Sequence, residues 1–91
     1  MEPQLELILP NWLSDLAAEQ QDTLFPTVEA RMQFAIELSM RNAEQRNGPF
    51  GTAIFDMQNH RLVAAGVNLV LQTKRSIAHA EIVAMTIAQQ A

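Results

Sequence analysis

Residues 78–88 read Ala-His-Ala-Glu-Ile-Val-Ala-Met-Thr-Ile-Ala, and this stretch predicts an apolar helix that opens with a histidine and a glutamate. Apolar side chains lie on nearly every side of such a helix, so it requires a fold that encloses it. The rest of the chain must therefore supply layers on more than one side of residues 78–88.

The pair at the start of this helix, His79 and Glu81, can carry chemistry. An imidazole nitrogen is a good zinc ligand, and a carboxylate beside a metal-bound water can move a proton from that water to a leaving group. At the beginning of a helix two side chains with this spacing can converge on one site. The alternative is that Glu81 only complements the positive end of the helix dipole.

A second helix is predicted upstream, from residue 28 to about residue 46. Thr27 is a suitable N-cap, Asn47-Gly48 is a stop signal, and Glu37 and Arg41 are spaced as an exposed ion pair. The residues that we expect to face the core lie on one side of this helix: Val28, Met32, Ala35, Ile36, Ser39 and Ala43.

Two strands are predicted between the helices, at residues 52–56 and 61–71, with a turn at residues 58–60 in which His60 is expected to be solvated. The second strand does not alternate apolar with polar residues, which is typical of a strand covered on both faces. Residues 1–26 are predicted to form an N-terminal extension with one short amphipathic helix near Trp12, and residues 27–91 to form the folded domain.

Bulk composition excludes several classes of protein. The formal charge of −4 and the acidic isoelectric point disfavour nucleic-acid binding, which needs clustered Lys and Arg. The chain contains no cysteine, which fits a reducing compartment. It shows neither a secretory signal nor an apolar run long enough to span a bilayer. We therefore expect a cytoplasmic protein with no membrane partner.

Three motifs occur in order: Gly48-Pro49-Phe50-Gly51, Gly66-Val67-Asn68 and Ala78-His79-Ala80-Glu81-Ile82. With these separations, residues 28–88 resemble the cytidine deaminase superfamily, in the branch that contains guanine, tRNA-adenosine and other nucleoside deaminases. The resemblance implies an α/β fold of cytidine deaminase-like α/β/α layers around a mixed sheet. The Pro-Cys-x-x-Cys half of the family signature is absent, so we expect residues 27–91 to be the N-terminal part of such a domain, with an incomplete sheet.

The resemblance also implies roles for single residues. His79 corresponds to the family's zinc-binding histidine and Glu81 to its proton-shuttling glutamate. Asn68 matches the substrate-binding asparagine, with a structural hydrogen bond to a neighbouring loop as the alternative. Phe50 is either one wall of the base pocket or a core phenylalanine, and Gly48 and Gly51 would allow close backbone approach. The backbone of Ala80 matches a position that contacts the edge of the substrate.

The function implied by the resemblance is zinc-dependent hydrolytic deamination of a small nucleobase, nucleoside or nucleotide. Relatives draw two zinc ligands from cysteines, so the ligand set is incomplete here and the isolated chain is expected to be inactive and poor in zinc. Relatives commonly pair subunits, so the resemblance also admits a homodimer. The alternative function is a catalytically dead deaminase-like module that persists for interaction or oligomerisation.

Overall fold

The computed structural model describes residues 9–69 and 79–90. Within these ranges the elements follow in the order α1 (Asn11–Glu19), α2 (Val28–Glu44), β1 (Gly51–Phe55), β2 (Leu62–Val67) and α3 (Ala80–Gln90). Strands β1 and β2 pair antiparallel, from Gly51 opposite Val67 to Phe55 opposite Leu62. The α/β architecture is the predicted one, although the sheet is purely antiparallel over the described residues.

Two glycines set the layers on either side of the sheet. A Cβ on Gly51 would lie 2.6 Å from Leu38 Cβ, which shows how closely α2 packs on one face. A Cβ on Gly66 would lie 2.5 Å from Ala84 N, because α3 packs on the other face. Gly66 pairs with Thr52, the neighbour of Gly51, so the two glycines lie on opposite faces of the pleat. As predicted, β2 is covered on both sides from Ala64 to Val67, whereas Val63 is exposed.

Helix α2 has the predicted beginning but buries a different face. Thr27 caps it, since its Oγ1 accepts a hydrogen bond from Ala30 N at 3.1 Å. The core-facing side chains are Phe34, Leu38 and Asn42. The prediction of the buried face was wrong, because Val28, Met32, Ile36 and Ala43 are exposed while Ala35 and Ser39 are half-buried. The helix has apolar residues on two sides, and composition alone does not tell which side meets the sheet.

The end of α2 is a Schellman motif, in which the backbone turns left-handed one residue past the C-cap. Arg46 N donates to Ala43 O at 2.9 Å, and Asn47 N donates to Asn42 O at 3.1 Å. Arg46 has φ 62°, so the left-handed residue is an arginine. The predicted stop at Asn47-Gly48 therefore comes two residues too late.

The core lies between α2, the sheet and the shorter helix α1. Phe25, Phe34 and Phe55 form an aromatic cluster, with the ring centroids of Phe25 and Phe34 5.2 Å apart. Leu13 and Leu16 of α1 join the same core, which confirms the short amphipathic helix predicted in residues 1–26. The described helices include none that is long and apolar enough to cross a bilayer.

The predicted turn between the strands is confirmed, but His60 is not simply solvated. His60 is half-buried with φ 62°, and its backbone carbonyl accepts from Phe25 N at 2.7 Å. The turn is thus tied to the segment that precedes α2. The predicted end of the second strand, at residues 70–71, lies outside the described residues.

Candidate functional site

A cavity of about 350 Å³ opens where α2, the sheet and the start of α3 meet. Its lining includes every site residue that the sequence singled out: Phe50, Asn68, His79, Ala80 and Glu81, together with Ser39, Gly51 and Thr52. The order of the elements explains this convergence. Strand β1 begins and β2 ends at the same end of the antiparallel pair, and α3 begins next to that end.

Residues 79–81 at the start of α3 form one side of the cavity, which we call the helix wall. His79 O accepts from Val83 N at 2.9 Å, so the hydrogen bonding of the helix starts at His79. The side chains of His79 and Glu81 are exposed and line the same cavity. The two residues expected to share a site at a helix start therefore lie at one cavity.

Residues 48–51 and Asn68 make up what we call the turn wall, of which Phe50, Gly51 and Asn68 line the cavity. Asn68 is 9% exposed, and its backbone N–H donates to Phe50 O at 3.2 Å. Phe50 is 61% exposed and lines the cavity, so it is not a core residue of the described part of the chain. Gly48 and Gly51 serve packing, because a Cβ on Gly48 would lie 3.3 Å from Asn68 Cγ and one on Gly51 would strike α2.

Ala80 connects the helix wall to the sheet. Its side chain is buried, and its carbonyl oxygen lies so close to Gly66 that a Cβ there would collide with it. The height of His79 and Glu81 above the sheet is thus set by the absence of a side chain at Gly66. Any residue larger than glycine would push the start of α3 outward.

The described residues do not complete a zinc site. No group of three or more His, Cys, Asp or Glu side chains in residues 9–69 and 79–90 could hold a metal ion. A catalytic zinc site takes three protein ligands, whereas the described lining of this cavity contains two side chains of a ligand type, His79 and Glu81. No catalytic step through zinc follows from this part of the chain.

Sequence reasoning missed Asn42, which is fully buried beneath the turn wall. Its Nδ2 donates to Gly48 O and to Asn68 O, at 2.8 Å each. The signal was in the sequence, since Asn42 follows Phe34 and Leu38 at four-residue spacing. An asparagine on the apolar side of a helix is costly unless it is paired. Ser39 and Thr52 were missed too, and both line the cavity.

The sequence of this chain matches that of a known protein family. Residues 26–91 match the family described as the cytidine and deoxycytidylate deaminase zinc-binding region. The chain belongs to this deaminase family. The family is a zinc-binding one, and the resemblance noted in the sequence is confirmed. No protein with a curated description matches the chain.

Solved structures also match this chain, and one of them is a guanine deaminase. A guanine deaminase from Nitrosomonas europaea is 34% identical with a TM-score of 0.83, and the match covers 99% of this chain and 48% of that one. A mutant of the protein NE0047 in complex with 8-azaguanine has the same identity, coverage and TM-score. NE0047 in complex with 2,6-diaminopurine also scores 0.83 at 34% identity, over 93% of this chain and 44% of that one. The chain thus spans about half the length of the structures it matches.

Proposed function

We propose that this chain takes part in the hydrolytic deamination of a small nucleobase, with the cavity at the start of α3 as the base-binding site. The observation that carries the proposal is that Asn68 of one motif lines the same cavity as His79 and Glu81 of another. Family membership and the similarity to a guanine deaminase support it. Since the neighbouring structures hold 8-azaguanine and 2,6-diaminopurine, guanine is the first substrate to test.

Each wall has its own task in this proposal. The amide of Asn68 and the backbone of Ala80 hydrogen-bond the edge of the base, while the ring of Phe50 packs against its face. Hydrolysis adds the oxygen of water to the amine-bearing carbon and breaks the carbon–nitrogen bond. Glu81 takes a proton from the water and passes it to the departing nitrogen, which leaves as ammonia.

Zinc belongs to the proposal through the family and through His79, with its other ligands outside the described residues. When bound, the metal would make water acidic enough to act as a nucleophile at neutral pH. In this proposal Glu81 carries the proton and is not itself a zinc ligand. A deaminase-like domain beginning at residue 27, a homodimer and a cytoplasmic location stay predictions.

The test is ammonia release from guanine by the product of the native coding sequence, measured after addition of one equivalent of zinc. Adenine, cytosine and guanosine form the comparison panel. We expect turnover of guanine, whereas the 91-residue chain by itself should hold well under one zinc per molecule. Absence of turnover with every substrate, in a folded protein that also fails to bind zinc, would instead favour the catalytically dead interaction module.

A further inference from the structure

The most unusual buried side chain of the described residues lies beneath the cavity and not in it. Asn42 occupies the last turn of α2 with 0% exposure, on the face that also buries Phe34 and Leu38. Asparagine is a poor helix former, and burying its amide costs free energy unless hydrogen bonds compensate. A leucine has the same branched arrangement of heavy atoms without a polar group to satisfy.

The bonds of Asn42 show which property of the side chain is used. Nδ2 donates to Gly48 O and to Asn68 O, both at 2.8 Å. Oδ1 has no hydrogen-bond partner among residues 9–69 and 79–90, although it is buried. The position thus employs an amide as a double donor, and it tolerates an unsatisfied acceptor in return.

These two bonds belong to a closed ring of hydrogen bonds. Phe50 N donates to Gly48 O at 2.8 Å, and Asn68 N donates to Phe50 O at 3.2 Å. With the two bonds from Asn42 Nδ2, Gly48, Phe50 and Asn68 are linked to one another, and Gly48 and Asn68 are bonded directly to α2. The carbonyl of Asn42 adds a further tie, because it accepts from Asn47 N at 3.1 Å.

We propose that Asn42 is a positioning residue, which fixes the separation of Phe50 and Asn68 and thereby the fit of a planar purine base between them. This proposal rests on the proposed nucleobase site. Asn42 does not line the cavity, so it acts on Asn68 directly and on Phe50 through Gly48, which accepts hydrogen bonds from both Asn42 Nδ2 and Phe50 N. A shift of about 1 Å in a positioned group can lower the rate about 100-fold. Loss of the double donor should therefore weaken the binding of the substrate.

The test compares Asn42→Leu with Phe34→Leu, a substitution on the same buried face that lies in the aromatic cluster away from the cavity. Three readouts are taken: affinity for 8-azaguanine by calorimetry, kcat and KM for guanine, and amide hydrogen exchange. For Asn42→Leu we expect affinity to fall about 10- to 100-fold, with KM raised and the pH profile of kcat unchanged. The Asn68 amide should exchange faster while the Val83 amide of α3 keeps its rate.

The control should separate position from stability. Phe34→Leu is expected to lower the melting temperature while preserving ligand affinity and the protection of Asn68 relative to Val83. Should Asn42→Leu fail to fold, Asn42→Ser retains one donor and should give an intermediate effect. Native affinity and native Asn68 protection in either folded variant would overturn the proposal.

The two proposals fail in different ways. If the native protein neither binds 8-azaguanine nor releases ammonia, the proposed function fails, but amide exchange still decides the role of Asn42. Faster exchange at Asn68 in the folded variant supports positioning. Unchanged exchange refutes it.

Discussion

The two walls of the cavity differ in how firmly the described residues hold them. The turn wall is fixed by a ring of hydrogen bonds around a buried amide, and Asn68 is almost entirely covered. The helix wall presents His79 and Glu81 to solvent, and neither side chain has a hydrogen-bond partner in residues 9–69 and 79–90. In the proposed function, base recognition is therefore assembled within the described residues, whereas zinc binding needs ligands from outside them.

The largest expected effect is the loss of kcat when Glu81 of the helix wall is replaced. Glu81→Gln removes the proton carrier and should lower kcat for guanine by about 10²- to 10⁴-fold, with little change in melting temperature because the side chain is exposed. Glu29→Gln is the matched control, since Glu29 occupies the first turn of α2 as Glu81 does in α3. Equal kinetics for both variants would reduce Glu81 to a complement of the helix dipole.

The second prediction concerns the support of the turn wall by α2. Leu38→Ala should lower the free energy of unfolding by about 2–5 kcal/mol, because Leu38 is fully buried against Gly51. Ile36→Ala, on the exposed side of the same helix, should change it by less than about 0.5 kcal/mol. Urea denaturation of both variants gives the comparison. Similar losses would mean that Ile36 is buried in the native protein.

The third prediction concerns Gly66→Ala, a substitution that should displace the helix wall and leave the turn wall in place. Gly66→Ala places a Cβ against Ala80 O and Ala84 N, so it should cost about 1–3 kcal/mol of unfolding free energy. It should also shift the amide resonances of Ala80 and Glu81 while leaving those of the turn wall in place. Ala65→Gly, at the neighbouring position of β2, is the control and should leave α3 undisturbed. Unmoved resonances at Glu81 in Gly66→Ala would contradict this packing.

The smallest expected effect is the change in the free energy of unfolding when His79 of the helix wall is replaced. His79→Ala should change the free energy of unfolding by less than about 0.5 kcal/mol in metal-free protein, since its side chain is exposed. Asn68→Ala should cost about 1–3 kcal/mol, because it disturbs a buried polar group. Thermal unfolding without zinc distinguishes the two. A large loss for His79→Ala would show a structural role for the imidazole.

The sequence predicted the order of elements well because caps, turns and motifs are local signals. Thr27 as the N-cap and the His-Ala-Glu opening of α3 are confirmed by backbone geometry. The exposed ion pair is confirmed too, with Arg41 Nη2 2.9 Å from Glu37 Oε1. These features depend on residues within one helical turn of each other.

What the sequence could not supply depends on the neighbouring layers. The buried face of α2 is chosen by the fit of Leu38 to Gly51, a contact between distant parts of the chain. The spacing from Phe34 and Leu38 marks Asn42 as buried, but the sequence does not show its partners, because Gly48 and Asn68 come together only when the sheet has formed. Periodicity shows that a helix has an apolar side but does not identify its partner.

The central claim is that a purine base binds at the cavity between the two walls. The chain also has a larger cavity, of about 420 Å³, lined by α1, β2 and Ile87 and including Leu13 and Ala17. A titration of ¹⁵N-labelled protein with 8-azaguanine distinguishes the sites. We predict chemical-shift changes centred on the amides of Phe50, Asn68 and Glu81. Changes centred on Leu13, Ala17 and Ile87, with the first group unmoved, would contradict the account.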